Sequence, residues 1–194
     1  MQQPYPPIWI GARGPKGIQQ AARNGYRLMA TFGPDPAPLY LKTLVEEGRN
    51  LDDFKTVQLR MMYVADTEDQ AWVDCQDHLF HALDFYRDIL LDANDANDAN
   101  DANDANDAND ANDANDANDG FLPIEKAADI RHSALADHLM VGTVDQVTEK
   151  MRCFVVDLNC TDLCIYSQFP GMGVVKGTRS LALFAEHIMP LFCD

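Results

Sequence analysis

The sequence has no apolar run approaching the roughly 20 residues that cross a bilayer, and a membrane-spanning segment is not expected. Its first residues, Met1-Gln2-Gln3-Pro4, carry neither a basic nor an apolar leader pattern, so no secretory signal is expected either. Lys and Arg are few and unclustered, which excludes the run of cations that neutralises a nucleic-acid backbone. The five cysteines, Cys75, Cys153, Cys160, Cys164 and Cys193, are odd in number, irregularly spaced and without a C-x-x-C pair. Reduced thiols in a cytoplasmic protein are the expectation, not a disulfide framework. No Ser-His-Asp or Cys-His arrangement can be assembled, and no catalytic residue is assigned. His78 and His81 share a helix face, but no carboxylate or thiol set joins them at metal-ligand spacing, so no metal is expected.

What is present begins with a short apolar segment, Ile8-Trp9-Ile10, running into Gly11-Ala12-Arg13-Gly14-Pro15-Lys16-Gly17 and then Ile18–Arg23, a helix-like run. Strand, glycine loop and helix present backbone N–H groups and a positive helix end to an anion, usually a phosphate. Arg13 and Lys16 add positive charge to a chain of net charge -16. The spacing is neither the G-x-x-x-x-G-K-S/T of a P-loop nor the G-x-G-x-x-G of a dinucleotide fold. A tight strand-to-helix turn with no ligand would use the same glycines.

Further strands are expected at Tyr26–Phe32, Val57–Val64 and Asp162–Tyr166, from their β-branched and aromatic content. Helices are expected from Gly17 to Asn24, from Asp35-Pro36 to Gly48, from the capping box Thr67–Gln70 through Leu90, over Ile124–Ala136, from a second capping box at Thr143–Gln146 through Val156, and over Leu181–Met189. Val141-Gly142 leads into the second box. Cys160 and Cys164 flank the last strand, where thiols pack as small hydrophobes, and Trp9 is expected in the core. Between the third and fourth strands the triplet Asp-Ala-Asn repeats over 92–119 and supplies much of the negative charge. It offers no apolar face, and its period of three does not build a helical stripe, so it reads as a disordered insert. A calcium array would need the glycines and bidentate Glu that the repeat lacks. Strands alternating with helices imply a parallel α/β sheet, in three parts: 1–91, the insert 92–119, and 120–194.

The residues Pro6-Pro7-Ile8-Trp9-Ile10-Gly11-Ala12-Arg13-Gly14, Gln58–Glu68, Val141–Val147, Phe169–Met172 and Leu183–Pro190 together resemble the luciferase-like flavin monooxygenases. That resemblance covers nearly everything outside the repeat and implies the C-terminal half of a (β/α)8 barrel. A whole barrel takes about 250 residues, and the family's first four strands have no counterpart here. It implies a flavin phosphate held by Ala12, Arg13, Gly14 and Gly17, with Phe32 beside the flavin ring and Phe169 and Pro170 bordering the same mouth. It further implies reduced FMN supplied by a flavin reductase, or the deazaflavin F420 instead, with O2 and a small organic molecule as reactants. A half-barrel leaves exposed sheet edges, so a homodimer or a fragment of a longer chain is expected. A binding remnant without turnover is the non-enzymatic reading.

Overall fold

The computed structural model describes residues 6–12, 14–30, 35–100, 124–157 and 160–193. In chain order the elements are β1 Trp9–Gly11, α1 Pro15–Arg23, β2 Arg27–Ala30, α2 Ala37–Glu46, β3 Thr56–Val64 and α3 Glu68–Asn100. Two 3-10 stretches, Ala127–His132 and Ala134–His138, lead to β4 Met140–Gly142. Then come α4 Val144–Asp157, β5 Asp162–Tyr166 and α5 Val174–Leu183. All strand pairs are parallel: β1 with β2, β2 with β3, and β3 with both β5 and the short β4. This is the parallel α/β sheet the alternation implied.

The helix ends follow local chemistry. In α1 the amide of Gly25, at φ 71°, donates to the Ala22 carbonyl, and that of Tyr26 donates to Ala21. Gly48 and Arg49 close α2 on Val45 and Leu44 in the same way. Glycine tolerates the left-handed turn that lets both carbonyls be satisfied. Both expected N-caps form, Gln70 N donating to Thr67 Oγ1 at 3.2 Å and Gln146 N to Thr143 Oγ1 at 3.3 Å, and the second is a full box in which Thr143 N donates back to Gln146 Oε1 at 2.9 Å.

Four local expectations change. The helix expected over Ile124–Ala136 is two 3-10 stretches, because its buried residues Ile130 and Leu135 are five apart and cannot share a helical stripe. The last helix starts earlier, at Val174, and widens into a π turn over Phe184–Ile188. Pro190 has no N–H to return to the carbonyl four residues back, which ends regular winding there. The strand β4 was too short to show in the sequence. Finally, α3 runs to Asn100, so the backbone of 92–100 continues a helix already nucleated upstream, where alanine favours propagation. The rest of the expected insert, 101–119, lies outside the described residues.

Alternation along β3 sorts its two faces. Thr56, Gln58 and Arg60 are buried and share the register of Leu28 and Ala30, whose face packs under α1 and α2. Met62 and Val64 continue this face against α4 and the C-terminal turns. The buried polar groups there are partly satisfied: Gln58 Nε2 donates to Asp35 Oδ1 at 3.1 Å, the Arg60 guanidinium donates to the Leu59 carbonyl at 3.0 Å and lies 4.7 Å from the Phe154 ring centroid, while Gln58 Oε1 and Asp35 Oδ2 accept no hydrogen bond among the described residues. On the opposite face, α3 and the 3-10 stretches cover Met61 and Tyr63 with Trp72, Cys75, Leu79 and Leu139. Toward the foot of the strands that cover ends, and Val57 and Leu59 are only half-buried. Trp9 lies on this open face, half-buried beneath Arg27 at 5.3 Å, and Cys164 is exposed there. Neither is the core residue expected, because the layer that would cover this face is missing among the described residues.

An ionic tie joins α5 to α3 and, through Tyr63, to β3. Lys176 Nζ lies 2.5 Å from Asp74 Oδ1, Tyr63 Oη donates to Asp74 Oδ2 at 3.4 Å, and the buried Ser180 Oγ accepts from Val64 N at 2.7 Å. Burial pushes the Asp74 carboxyl up, but hydrogen bonds from Lys176 and Gln70 and the Lys176 charge hold it below the usual range. Burial, with Asp74 beside it, pushes the Tyr63 phenol up to about 12. A carboxylate with a depressed pKa stabilises the fold above its unfolded value and loses that contribution as pH falls through the folded one. Thermal unfolding measured between neutral pH and about pH 3 is therefore expected to show an acid-sensitive contribution of about 1 to 2 kcal/mol. Asp74→Asn should remove that part of the pH dependence; an unchanged acid limb in the variant would contradict the assignment.

Candidate functional site

Parallel strands place all their C-terminal ends on one side, where the loops after β1, β2, β3 and β5 meet the starts of the following helices. The loop after β1 is the one the sequence singled out, and its three glycines do different things. Gly14 is the N-cap of α1, with φ -79° and ψ 149° and no side-chain cap, and Pro15 follows in the first turn. The first turn of α1 contains no acidic residue, so the positive end of the helix is not offset locally. Among the described residues, a Cβ built on Gly14 or on Gly11 would meet no atom within 4 Å, so these leave space open over the helix start. A Cβ on Gly17 would come within 3.3 Å of Ala12 Cβ, so Gly17 lets the loop pack down on the first turn. Ala12 is half-buried and packs against the α1–α2 cluster.

Of the expected site residues, Ala12, Gly14 and Gly17 thus converge on one corner. Arg13 and Phe32 lie outside the described residues. Phe169 does not border an open mouth: it is 1% exposed, meets the Tyr166 ring edge-on at 5.5 Å, and belongs to the cluster under α3. The loop after β5 is tied to α3 through the Pro170 carbonyl, 3.1 Å from His78 Nδ1. Among the described residues no group of three or more His, Cys, Asp or Glu comes together to hold a metal. Sequence reasoning missed Val174 and Val175, 74% and 83% exposed at the start of α5 on this same side of the sheet. Their exposure depends on where the preceding loop releases the helix, which no local pattern encodes.

A second cleft, of about 750 Å³, lies between the starts of α3 and α4 and is lined by Glu68, Trp72, Arg131, Gln146 and Lys150 among others. Its polar groups satisfy one another. Arg131 bridges Glu68 and Asp69 at 2.8 and 2.7 Å, Gln146 Nε2 donates to Glu68 Oε2 at 2.7 Å, and Lys150 Nζ donates to the carbonyls of Ala136 and Leu139. Burial pulls the Lys150 ammonium below its usual range, against the charges of Asp137 and Glu68. This cleft is an internal clamp joining α3, α4 and the 3-10 stretches.

A parallel sheet with helices packed on both faces, and a helix start without a side-chain cap beyond the C-terminal end of its first strand, define an α/β protein. The chain belongs to the luciferase-like monooxygenase family, whose profile matches residues 1–159. It is 32% identical over 79 residues to the flavin-dependent trigonelline monooxygenase, oxygenase component, of Acinetobacter baylyi, a match covering 38% of this chain and 22% of that protein. In fold it is similar to the monooxygenase RslO1 from Streptomyces bottropensis, with a TM-score of 0.65 at 18% identity over 99% of this chain and 50% of that one. It is also similar to the oxygenating constituent of 3,6-diketocamphane monooxygenase of Pseudomonas putida, solved with FMN, with a TM-score of 0.60 at 13% identity over 96% and 48%. An F420-dependent secondary alcohol dehydrogenase solved with an F420-acetone adduct gives a TM-score of 0.56 at 16% identity over 99% and 50%. The chain spans about half the length of these solved relatives, and 22% of the curated one.

Proposed function

We propose that this chain is the flavin-phosphate half of a luciferase-like monooxygenase, acting with reduced FMN and O2 on a small organic substrate. The observation that carries the reading is the start of α1: an N-cap without a side chain, with open space above it, behind a glycine loop at the C-terminal end of β1. A phosphate there would be held by backbone N–H groups and the helix dipole, with Arg13 placed by sequence to add a charge-assisted hydrogen bond. Phe32, two residues beyond the end of β2, is assigned to the flavin ring on the same resemblance. The reduced flavin supplies the electrons that activate O2; the chain's share is to bind its phosphate and orient it. A flavin reductase delivers the reduced cofactor, and the protein works in the cytoplasm.

The similarity to an F420-dependent dehydrogenase favours F420 as the second reading, since both cofactors present a phosphate. A binding remnant without turnover is the third, because the chain spans half of its solved relatives. One preparation separates them. Purified with excess FMN, the chain is expected to retain a yellow chromophore and to support NAD(P)H-coupled oxygen consumption when a reductase is added. Retention without consumption selects the remnant. Binding of F420 in preference to FMN selects the second reading, and no binding of either cofactor rejects the phosphate corner altogether.

A further inference from the structure

α1 begins at the anion corner and is only nine residues, about 14 Å, long, so a shift at its far end is felt at its start. Its buried residues are Ile18, Ala21 and Ala22, and two methyl groups with one larger side chain key it only weakly against its neighbours. The direction of its axis therefore depends on what holds its C-terminal end. Backbone amides of Asn24, Gly25 and Tyr26 take the carbonyls of Gln20, Ala22 and Ala21. The next carbonyl, that of Arg23, accepts from Arg49 Nη2 at 2.5 Å. A guanidinium there meets an orphan carbonyl and the negative end of the helix at once.

Arg49 is itself fixed from α2. Its amide donates to the Leu44 carbonyl at 3.0 Å in the turn that closes α2, and its guanidinium lies 5.6 Å over the Phe54 ring. Gly25 leaves room for it, since a Cβ there would stand 2.9 Å from Arg49 Nη1. Beside it the buried Tyr40 of α2 donates its hydroxyl to the Tyr26 carbonyl at 2.6 Å. α2 in turn is pinned at its start, where Asp35 Oδ1 accepts from Ala37 N at 3.2 Å and from the buried Gln58 of β3 at 3.1 Å. A chain of contacts thus runs from β3 through α2 and Arg49 to the end of α1. We propose that Arg49 is a positioning residue for the anion corner. It lies at the opposite end of α1 from the phosphate, fixes the helix axis, and so aims the first-turn N–H groups, whose hydrogen bonds weaken with misalignment. The inference rests on the reading of that corner as a flavin-phosphate site.

FMN and riboflavin share the ring and differ in the phosphate, so titrating both by flavin fluorescence separates aim from general damage. The wild-type chain is expected to prefer FMN. Arg49→Ala should weaken FMN about 5- to 10-fold and leave riboflavin unchanged. Arg49→Lys, which keeps a cation within reach of the Arg23 carbonyl, should recover most of the loss. Lys42→Ala removes the same charge from a surface pair with Glu46 on α2, and should leave the FMN preference as it is. A preference that survives in Arg49→Ala, or an equal loss for both flavins, overturns the inference and leaves the phosphate corner in place. So does an equal fall in Lys42→Ala, which would make the effect one of net charge. A wild type that binds FMN no better than riboflavin removes the corner, and the inference with it. Should Arg49→Ala fail to fold, Arg49→Gln takes its place, with the preference expected to fall in Arg49→Gln and to hold in Arg49→Lys.

Discussion

Gly14→Val is expected to weaken FMN binding by about 10- to 100-fold, the loss that follows when charge-assisted hydrogen bonds to a phosphate are blocked. The backbone of Gly14, at φ -79° and ψ 149°, is the extended conformation that a β-branched residue prefers, so the change introduces no strain. Its side chain would project into the space over the start of α1 that holds no atom of the described residues within 4 Å. The cost to the fold is that of a poor N-cap, about 1 kcal/mol. Gly173→Ala is the matched control: Gly173 caps α5 with open space around it, so the variant should lose comparable stability and no flavin affinity. Fluorescence titration with FMN, read beside thermal unfolding, separates the two effects. Equal affinity in Gly14→Val and wild type would remove the phosphate from this corner.

Gly142→Val is expected to be the most damaging single change to the fold, lowering stability by about 3 kcal/mol or more. Gly142 ends β4 at φ 150°, a conformation side chains rarely adopt, and a Cβ there would lie 2.5 Å from Gln146 Oε1 and 3.1 Å from Gln146 Cβ. That oxygen accepts from Thr143 N at 2.9 Å, and the amide nitrogen of the same side chain donates to Glu68. Displacing Gln146 opens the capping box of α4 and its bridge to the start of α3 together. Chemical denaturation should show the loss, and Gln146→Ala should reproduce only the part due to the cap and the bridge, about 1 kcal/mol. Similar stabilities for Gly142→Val and wild type would show that the loop relaxes around the side chain.

Legibility in the sequence followed the range of the forces involved. The strand Asp162–Tyr166 and both capping boxes were readable because each depends on neighbours a few residues away. The strand-to-helix turn after β1 was readable for the same reason: Gly14 and Gly17 act on the helix they begin. The exposure of Cys164 and Trp9 was not, because it depends on a covering layer that is missing among the described residues, and local pattern records only that a face is apolar. Phe169 misled in the opposite sense. It sits in a loop after a strand, where cofactor contacts gather, yet the burial of its ring was decided by α3, far away in sequence. The helical backbone past residue 91 shows how an element started by good local signals carries a weak sequence along with it.

The pairing of β3 with β5 has a consequence for the triplet repeat. Thr161 N donates to the Thr56 carbonyl and its hydroxyl to the same oxygen, so this contact closes a chain segment that contains every Asp-Ala-Asn unit. The entropy of closing a flexible loop grows only with the logarithm of its length, about 0.6 kcal/mol for each doubling. Gaining or losing a few triplets therefore barely changes the free energy of the native sheet. It acts instead on the search, since the two strands must find each other across a longer tether before β5 can dock. Variation in repeat number would thus be nearly silent at equilibrium and would appear as a slower refolding rate.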